Sequence, residues 1–369
     1  MPGSFPEALD HMLSNRLSAR SKQGAKALTT TLISILILLL GALIVQPRLG
    51  QRRLFIDDRH VLTPVEVEAL PAGTLPVVLD RRLGQTETSF AYRLLQLVME
   101  RSGEPYAIGF SSEVFPQDEV MNALASGLQK GDHNSTGITV GAYGAGVQLN
   151  RRLRPIRIPI SGGLLGLRAG WTNASQQPLL AEVRDLKDLR QLLLIQGLGW
   201  SDVEILDAAG LRTYTTAPHY LFRLLENQRV QLFPRGIAEL EGESQEVHRS
   251  GREIVLDPHL LVTYPFAGFF YVSPANPRLA KAIETGFERA IADGSYQALL
   301  EEVIFTPWLR RHLKLRDRQV IHLRNPEAAL ALADVDPRHW IVPWRALDQK
   351  QITRGSQLCA LPRLRELCL

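Results

Sequence analysis

The sequence predicts a layered α/β fold with parallel strands, carried behind an apolar N-terminal segment. Three observations point there. Short apolar runs alternate with amphipathic helical patterns from Leu75 onward, the grammar of strands and the helices that cover them. The 369 residues are 45% hydrophobic and 22% charged, the balance of a folded chain long enough for two modest domains. The stretch ALTTTLISILILLLGALIV, Ala27 to Val45, contains no charge and follows Arg16, Arg20, Lys22 and Lys26, the pattern of a membrane span or an export signal.

Taken in order, residues 1–26 form a basic N-terminal segment and 27–46 the apolar one. A cleavable signal ends in small residues around the cut, whereas this run ends LIVQPRLG and has no cysteine to take a lipid. It therefore reads as an uncleaved single-pass inner-membrane anchor, with 1–26 cytoplasmic and the C-terminal domain in the periplasm. Arg48, Arg52, Arg53 and Arg59 nearly balance the upstream basic residues, so this orientation rests on the rest of the chain looking like an exported domain. Residues 47–74, charged and proline-bearing without a clear period, read as a linker.

Folded structure is expected from LPVVLD (75–80), a strand, followed by the loop RRLGQTETSF. In AYRLLQLVMERSG, Leu94, Leu95, Val98 and Met99 recur at helical spacing and Gly103 stops the helix. The same order returns at LLLIQGLGW (192–200), at SDVEILDAAG with Ser201 as N-cap, and at LRTYTT. APHYLFRLLENQ then predicts a helix and VQLF a strand. Ligands of such layers sit beyond the carboxyl ends of the strands. Further on, LLVTYPFAGFFYVSP (260–274) is strand-rich, and NPRLAKAIETGFERAIADGSYQALLEE reads as a helix, an Asp293-Gly294 turn and a second helix.

Composition removes several functions. A net charge of +4 from 42 basic and 38 acidic residues is far from that of a phosphate-backbone binder. The cysteines, Cys359 and Cys368, form no CxxC pair, so neither zinc nor a redox motif is indicated, though they are close enough to bridge in an oxidising compartment. HExxH and GxSxG do not occur. The glycines of GAYGAG run GxxGxG rather than GxGxxG, which argues against a dinucleotide loop. No cofactor is expected.

The segments YVSPANPRLA and AIADGSYQALLEE resemble the closing segment of family 3 extracellular solute-binding proteins, which have the type 2 periplasmic binding protein fold. EVRDLKDLRQLLLIQGLGWSDVEILDAAGL is similar to the start of their second lobe, and LENQRVQLFPRG to the helix and strand that follow. The likeness covers roughly residues 75–309 and is strongest over 185–300, nearest to an uncharacterised membrane-associated branch with the same FPRG run. It implies two α/β lobes, lobe 1 from 75–166 and 264–308 and lobe 2 from 167–263. A hinge of two crossing strands joins them, near 154–168 and 263–268, and a ligand lies in the cleft. Residues 309–369 form a C-terminal extension outside that fold. The implied activity is capture of a small polar solute for an ABC permease, with a membrane-tethered sensor as the alternative. Some proteins of this fold class are enzymes, such as cyclohexadienyl dehydratases, but no catalytic set is visible here, so a non-enzyme is expected.

The resemblance also orders the candidate site. Relatives keep an acid after the strand that is VQLF here, to hold an amino acid's ammonium. This chain has Phe233, Pro234, Arg235 and Gly236 instead, and a guanidinium suits a carboxylate or phosphate. An anionic ligand is therefore expected, with Glu239 either orienting Arg235 or supplying the missing acid. In lobe 1, where relatives carry a threonine and then an arginine for the ligand carboxylate, Thr139 is followed by a glycine-rich loop with Tyr143, and Arg151 and Arg152 come late. Gln85, Glu87 and Ser89 lie in a loop that opens a helix. Trp200 offers a stacking face and Ser201 a helix start. Tyr264 and Phe266 flank Pro265 on the return crossing, as hinge packing or as ligand contacts.

Overall fold

The structure, a computed structural model, describes residues 60–82, 85–126, 136–250 and 253–368. The anchor at 27–46, the segment 1–26 and the linker up to residue 59 lie outside the described residues. Among the described residues no helix is long and apolar enough to cross a membrane.

The strands are β1 (Leu75–Leu79), β2 (Tyr106–Phe110), β3 (Val140–Gly144), β4 (Arg154–Pro155), β5 (Leu167–Asn173), β6 (Leu193–Gly197), β7 (Arg212–Thr216), β8 (Phe233–Gly236), β9 (Ile254–Leu256), β10 (Leu260–Thr263), β11 (Gly268–Val272) and β12 (Gln319–His322). The helices that matter below are α1 (Phe90–Ser102), α2 (Gln117–Ser126), α3 (Val147–Arg152), α4 (Asp202–Ala208), α5 (Leu221–Glu226), α6 (Leu240–Ser250), α7 (Pro277–Ala292), α8 (Ser295–Val303), α9 (Pro307–Leu313) and α10 (Gly355–Cys359).

Two α/β lobes result, each around its own sheet. The first has the order β2-β1-β3-β11-β4, with β1 parallel to β2 and β3, and β11 antiparallel to β3. Leu94, Leu95, Val98 and Met99 of α1 are buried, and Gly103 in the left-handed region ends the helix, as its sequence predicts. α1 packs on α7 so closely that a Cβ on Gly286 would lie 1.8 Å from the Val98 carbonyl oxygen. Only glycine permits that approach. Before β1, the Leu62 amide donates to the Phe110 carbonyl at 2.9 Å, which lays residues 60–62 along β2.

The second sheet runs β12-β10-β5-β8, with β9 also on β5; β6 and β7 pair in parallel, and a bridge from Leu194 to Leu232 links them to the run before β8. β5 is buried at every position and forms the spine of this lobe. The expected strand VQLF is displaced: β8 is FPRG itself, antiparallel to β5, with Ala169 opposite Arg235 and Gly170 opposite Pro234. Proline gives no N–H to a ladder and argues against a central strand in sequence, but β8 is the edge strand of this sheet, where Pro234 is tolerated. Arg235 is therefore a strand residue rather than a turn residue.

Two crossings join the lobes. After β4 the chain follows β11, with Ile156 donating to the Phe270 carbonyl and Ile160 to that of Gly268. It turns at Gly162 and Gly163, whose φ values are +59° and +91°, and passes into β5. The return is Tyr264–Ala267, held to the first crossing by the Tyr264 amide on the Gly166 carbonyl at 3.1 Å.

The C-terminal extension adds β12 to the free edge of β10 in parallel register. Arg318, fully buried before it, donates to the Leu313 and Leu260 carbonyls at 2.5 Å each; burial pulls its guanidinium down to about 10, against Asp257. Cys359 and Cys368 form a disulfide beside α10.

Candidate functional site

At the lobe-2 face of the cleft five charged side chains form one buried network. Arg168 reaches it from β5, where an arginine is the single charge in LLGLRAGW. Its Nη2 lies 3.0 Å from Asp202 Oδ1 and its Nη1 3.3 Å from Glu239 Oε2. Arg235, projecting from the neighbouring strand, donates from Nη2 to Glu239 Oε1 and from Nε to Glu243 Oε1, both at 2.6 Å. Glu239 and Glu243 sit four and eight residues on from Arg235, so the helical turn leading into α6 and α6 itself present both carboxylates to it. The Gly236 amide and the Trp171 indole complete the acceptors, on Glu239 Oε2 at 2.8 Å and Glu243 Oε2 at 2.7 Å. Asp202 comes from the first position of α4.

Stacking fixes the arginines in place. The Arg235 guanidinium lies 4.7 Å from the Trp200 ring centroid and 5.1 Å from that of Phe233; Arg168 lies 5.4 Å from Tyr264 and 5.6 Å from Phe266. Burial pushes the Asp202 and Glu243 carboxyls up, against the pull of Arg168 and Arg235 respectively. Burial alone would lower Arg235, but Glu239 and Glu243 outweigh it and hold the cation. Two cations thus face three carboxylates. Glu239 is the least buried of the three, with a third of its side chain exposed.

Lobe 1 presents a second cluster. Asp80, buried at the end of β1, accepts from Tyr143 Oη at 2.8 Å and from Arg82 Nε at 2.9 Å, both on Oδ2. Arg82 also lies 4.2 Å from the Tyr143 ring. The lobes meet close by: a Cβ on Gly144 would be 3.6 Å from Ser201 Oγ and 2.8 Å from the Phe266 ring. A cavity of about 80 Å³ lies there, lined by Ala145, Ser201, Glu204, Phe266, Asn325 and Glu327 among others. That is room for a few waters or a small solute.

Of the residues singled out in the sequence, the structure brings Arg235, Glu239, Trp200 and Tyr264 to one network, sets Ser201 on the cavity, and puts Tyr143 on the facing lobe. Tyr264 is fully buried beneath Arg168, in the hinge. Ser201 makes no capping bond from its side chain. Arg152 is directed elsewhere: exposed on α3, it donates to Asn122 Oδ1 of α2. Gln85 accepts from the Arg82 amide and Ser89 Oγ from the Thr86 amide, so both serve their own loop. Glu87 stands near Tyr92, where burial first and then the Glu87 charge raise the tyrosine hydroxyl.

Arg168, Asp202, Glu243, Asp80 and Arg82 went unnamed in sequence. The signals were present in Arg168 as a lone charge within an apolar strand and in Glu243 at the i+8 position from Arg235. Asp80 follows the last strand residue, just ahead of the loop that carries Gln85, Glu87 and Ser89.

No protein-family model matches the chain, and no curated protein matches it. Among solved structures, it is similar to an ancestral arginine-binding protein bound to arginine, at 16% identity and a TM-score of 0.42, over 63% of this chain and 98% of that one. A periplasmic His/Glu/Gln/Arg/opine family-binding protein from Silicibacter pomeroyi in complex with lysine gives 10% identity and 0.42, over 63% and 97%. A histidine kinase sensor domain with similarity to periplasmic binding proteins gives 14% and 0.43, over 63% and 96%.

Proposed function

We propose that this chain is a bilobal receptor, exported and held at the inner membrane by residues 27–46, which binds a small polar solute between its lobes. The observation that carries the reading is the charge at the cleft. Arg235 by itself favours an anion, but its Nε and Nη2 already donate to Glu243 and Glu239, whose charges offset its own. The surplus charge of the network is negative, and the cavity beside it is lined by Glu204 and Glu327 with no basic side chain among the described residues. This surplus supports a solute that presents a protonated amine, and Glu239, the most exposed carboxylate of the network though not itself a wall of the cavity, is its proposed partner.

Delivery of the solute to an ABC permease and signalling through the anchor both use such a domain. Delivery requires the lobes to part widely. The extension lies against both crossings here, an observation that favours signalling.

Thermal denaturation of the detergent-solubilised full-length protein tests the charge assignment. Lysine, arginine or putrescine is expected to raise Tm, by the equivalent of about 2.7 kcal/mol at a hundredfold excess over Kd, and Glu239→Gln is expected to remove the shift. Stabilisation by succinate or phosphate that survives Glu239→Gln would restore the anionic reading. Turnover of any of these solutes would move the protein among the enzymes.

A further inference from the structure

The sequence SGGLLG at the first crossing has a partner that the binding fold does not supply. A Cβ on Gly162 would lie 2.4 Å from Ile341, one on Gly163 2.9 Å from Trp340, and one on Gly166 2.6 Å from Trp344. The Ile341 and Val342 amides both donate to the Gly162 carbonyl, at 2.8 and 3.3 Å. The return crossing is held as well, by Asn325 Nδ2 on the Pro265 carbonyl at 2.9 Å. The hinge glycines, which have the backbone freedom to absorb a lobe rotation, are thus packed under the extension's aromatic residues.

The same extension is fastened to each lobe. On lobe 2 it is a strand of the sheet, β12 on β10. On lobe 1, Arg338 Nη2 and His339 Nε2 meet Glu288 Oε1 of α7 at 2.6 and 3.0 Å, and Asn150 of α3 donates to the Ala331 carbonyl at 2.9 Å. Between these anchors, the turn at Asn325–Glu327 forms one wall of the interlobe cavity. Two hydrogen bonds hold the turn there, Asn325 Nδ2 on the Pro265 carbonyl at 2.9 Å and the Val147 amide on Glu327 Oε2 at 3.4 Å.

We propose that the C-terminal extension is a third component of the binding site: it clamps the hinge, and solute exchanges by the lifting of the Asn325–Glu327 turn while the lobes stay together. The inference rests on the interlobe cavity being the solute site, but not on which solute fills it. The clamp resists rotation because opening the lobes must unseat Trp340, Ile341 and Trp344 from the glycines or strip Glu288 of its partners. The turn yields first because two hydrogen bonds from uncharged donors hold it, whereas the clamp combines packed aromatic residues with the Glu288 bridges.

Spin labels at Glu119→Cys on lobe 1 and Asp207→Cys on lobe 2, both exposed sites, report the lobe separation by pulsed dipolar spectroscopy in the full chain without added solute. A single narrow distance is expected. Adding Ile341→Ala and Trp344→Ala is expected to create a second, longer distance. Should that variant fail to fold, Glu288→Ala, at a partly exposed position, releases the lobe-1 anchor and is expected to do the same. Asn325→Ala with Glu327→Ala is expected to keep the single distance while the Val147 amide exchanges roughly tenfold or more faster. A longer population in the unmutated protein overturns the clamp, and so does a single distance in both released variants. Opening of the lobes by the Asn325/Glu327 variant overturns the turn as the moving part. Because no solute is present, these outcomes are independent of whether an amine binds.

Discussion

At the scale of single residues, the site is decided by which charges are left over once the buried ones have paired. Arg168 is 3% exposed, and Asp202 opposite it is 4% exposed. Removing one partner of such a pair strands the other in a low-dielectric setting. Arg168→Met alone is expected to cost about 3–5 kcal/mol, read as a shift of the urea midpoint. Arg168→Met with Asp202→Leu is expected to recover most of that loss, because apolar residues of similar volume replace a buried ion pair at little net cost. Equal losses in the single and double variants would show that the pair is not the reason for the cost. Arg235 teaches the complementary lesson. Arg235 just after VQLF is legible in the sequence, whereas its pairing with both Glu239 and Glu243 emerges only in the fold, and on the proposed reading that pairing leaves a ligand facing negative charge.

At the scale of elements, most of the chain was legible where periodicity and stop signals agree. The helix ending at Gly103, the pair β6 and β7, and the long α7 each follow from apolar spacing and a terminal glycine, proline or Asn cap. The sequence sets a strand at VQLF because Pro234 argues locally against continuing it, whereas the observed strand, β8, lies at the edge of its sheet, where a proline is tolerated. β12 was not anticipated, since a four-residue edge strand acquires its identity from the free side of β10 rather than from its own residues. It carries a testable pH dependence. His322 bonds Thr263 Oγ1 at 3.0 Å, and burial lowers its imidazole below the usual 6.5, with Arg324 adding to the shift and Asp348 opposing it. The neutral ring is the one the fold accepts, so its contribution is complete above about 6.5 and is lost as pH falls from there through the lowered value. Melting curves from about pH 8 to about pH 5 are expected to show a smaller fall in Tm for His322→Gln than for the unmutated chain. An identical fall in both would remove His322 from the account.

At the scale of the whole molecule, a two-lobed fold was legible because its alternating grammar and its closing segment lie in local sequence. The way the extension engages both lobes was not, because its contacts join residues far apart in the chain: Trp344 to Gly163, Asn325 to Pro265, Arg338 to Glu288. The central claim is that a solute bearing a protonated amine binds between the lobes against Glu239. Isothermal titration of the full-length protein with lysine and, separately, with glutarate tests it most directly. The account predicts saturable heat with lysine, none with glutarate, and loss of the lysine signal in Glu239→Gln. Saturable binding of glutarate with none of lysine would contradict it.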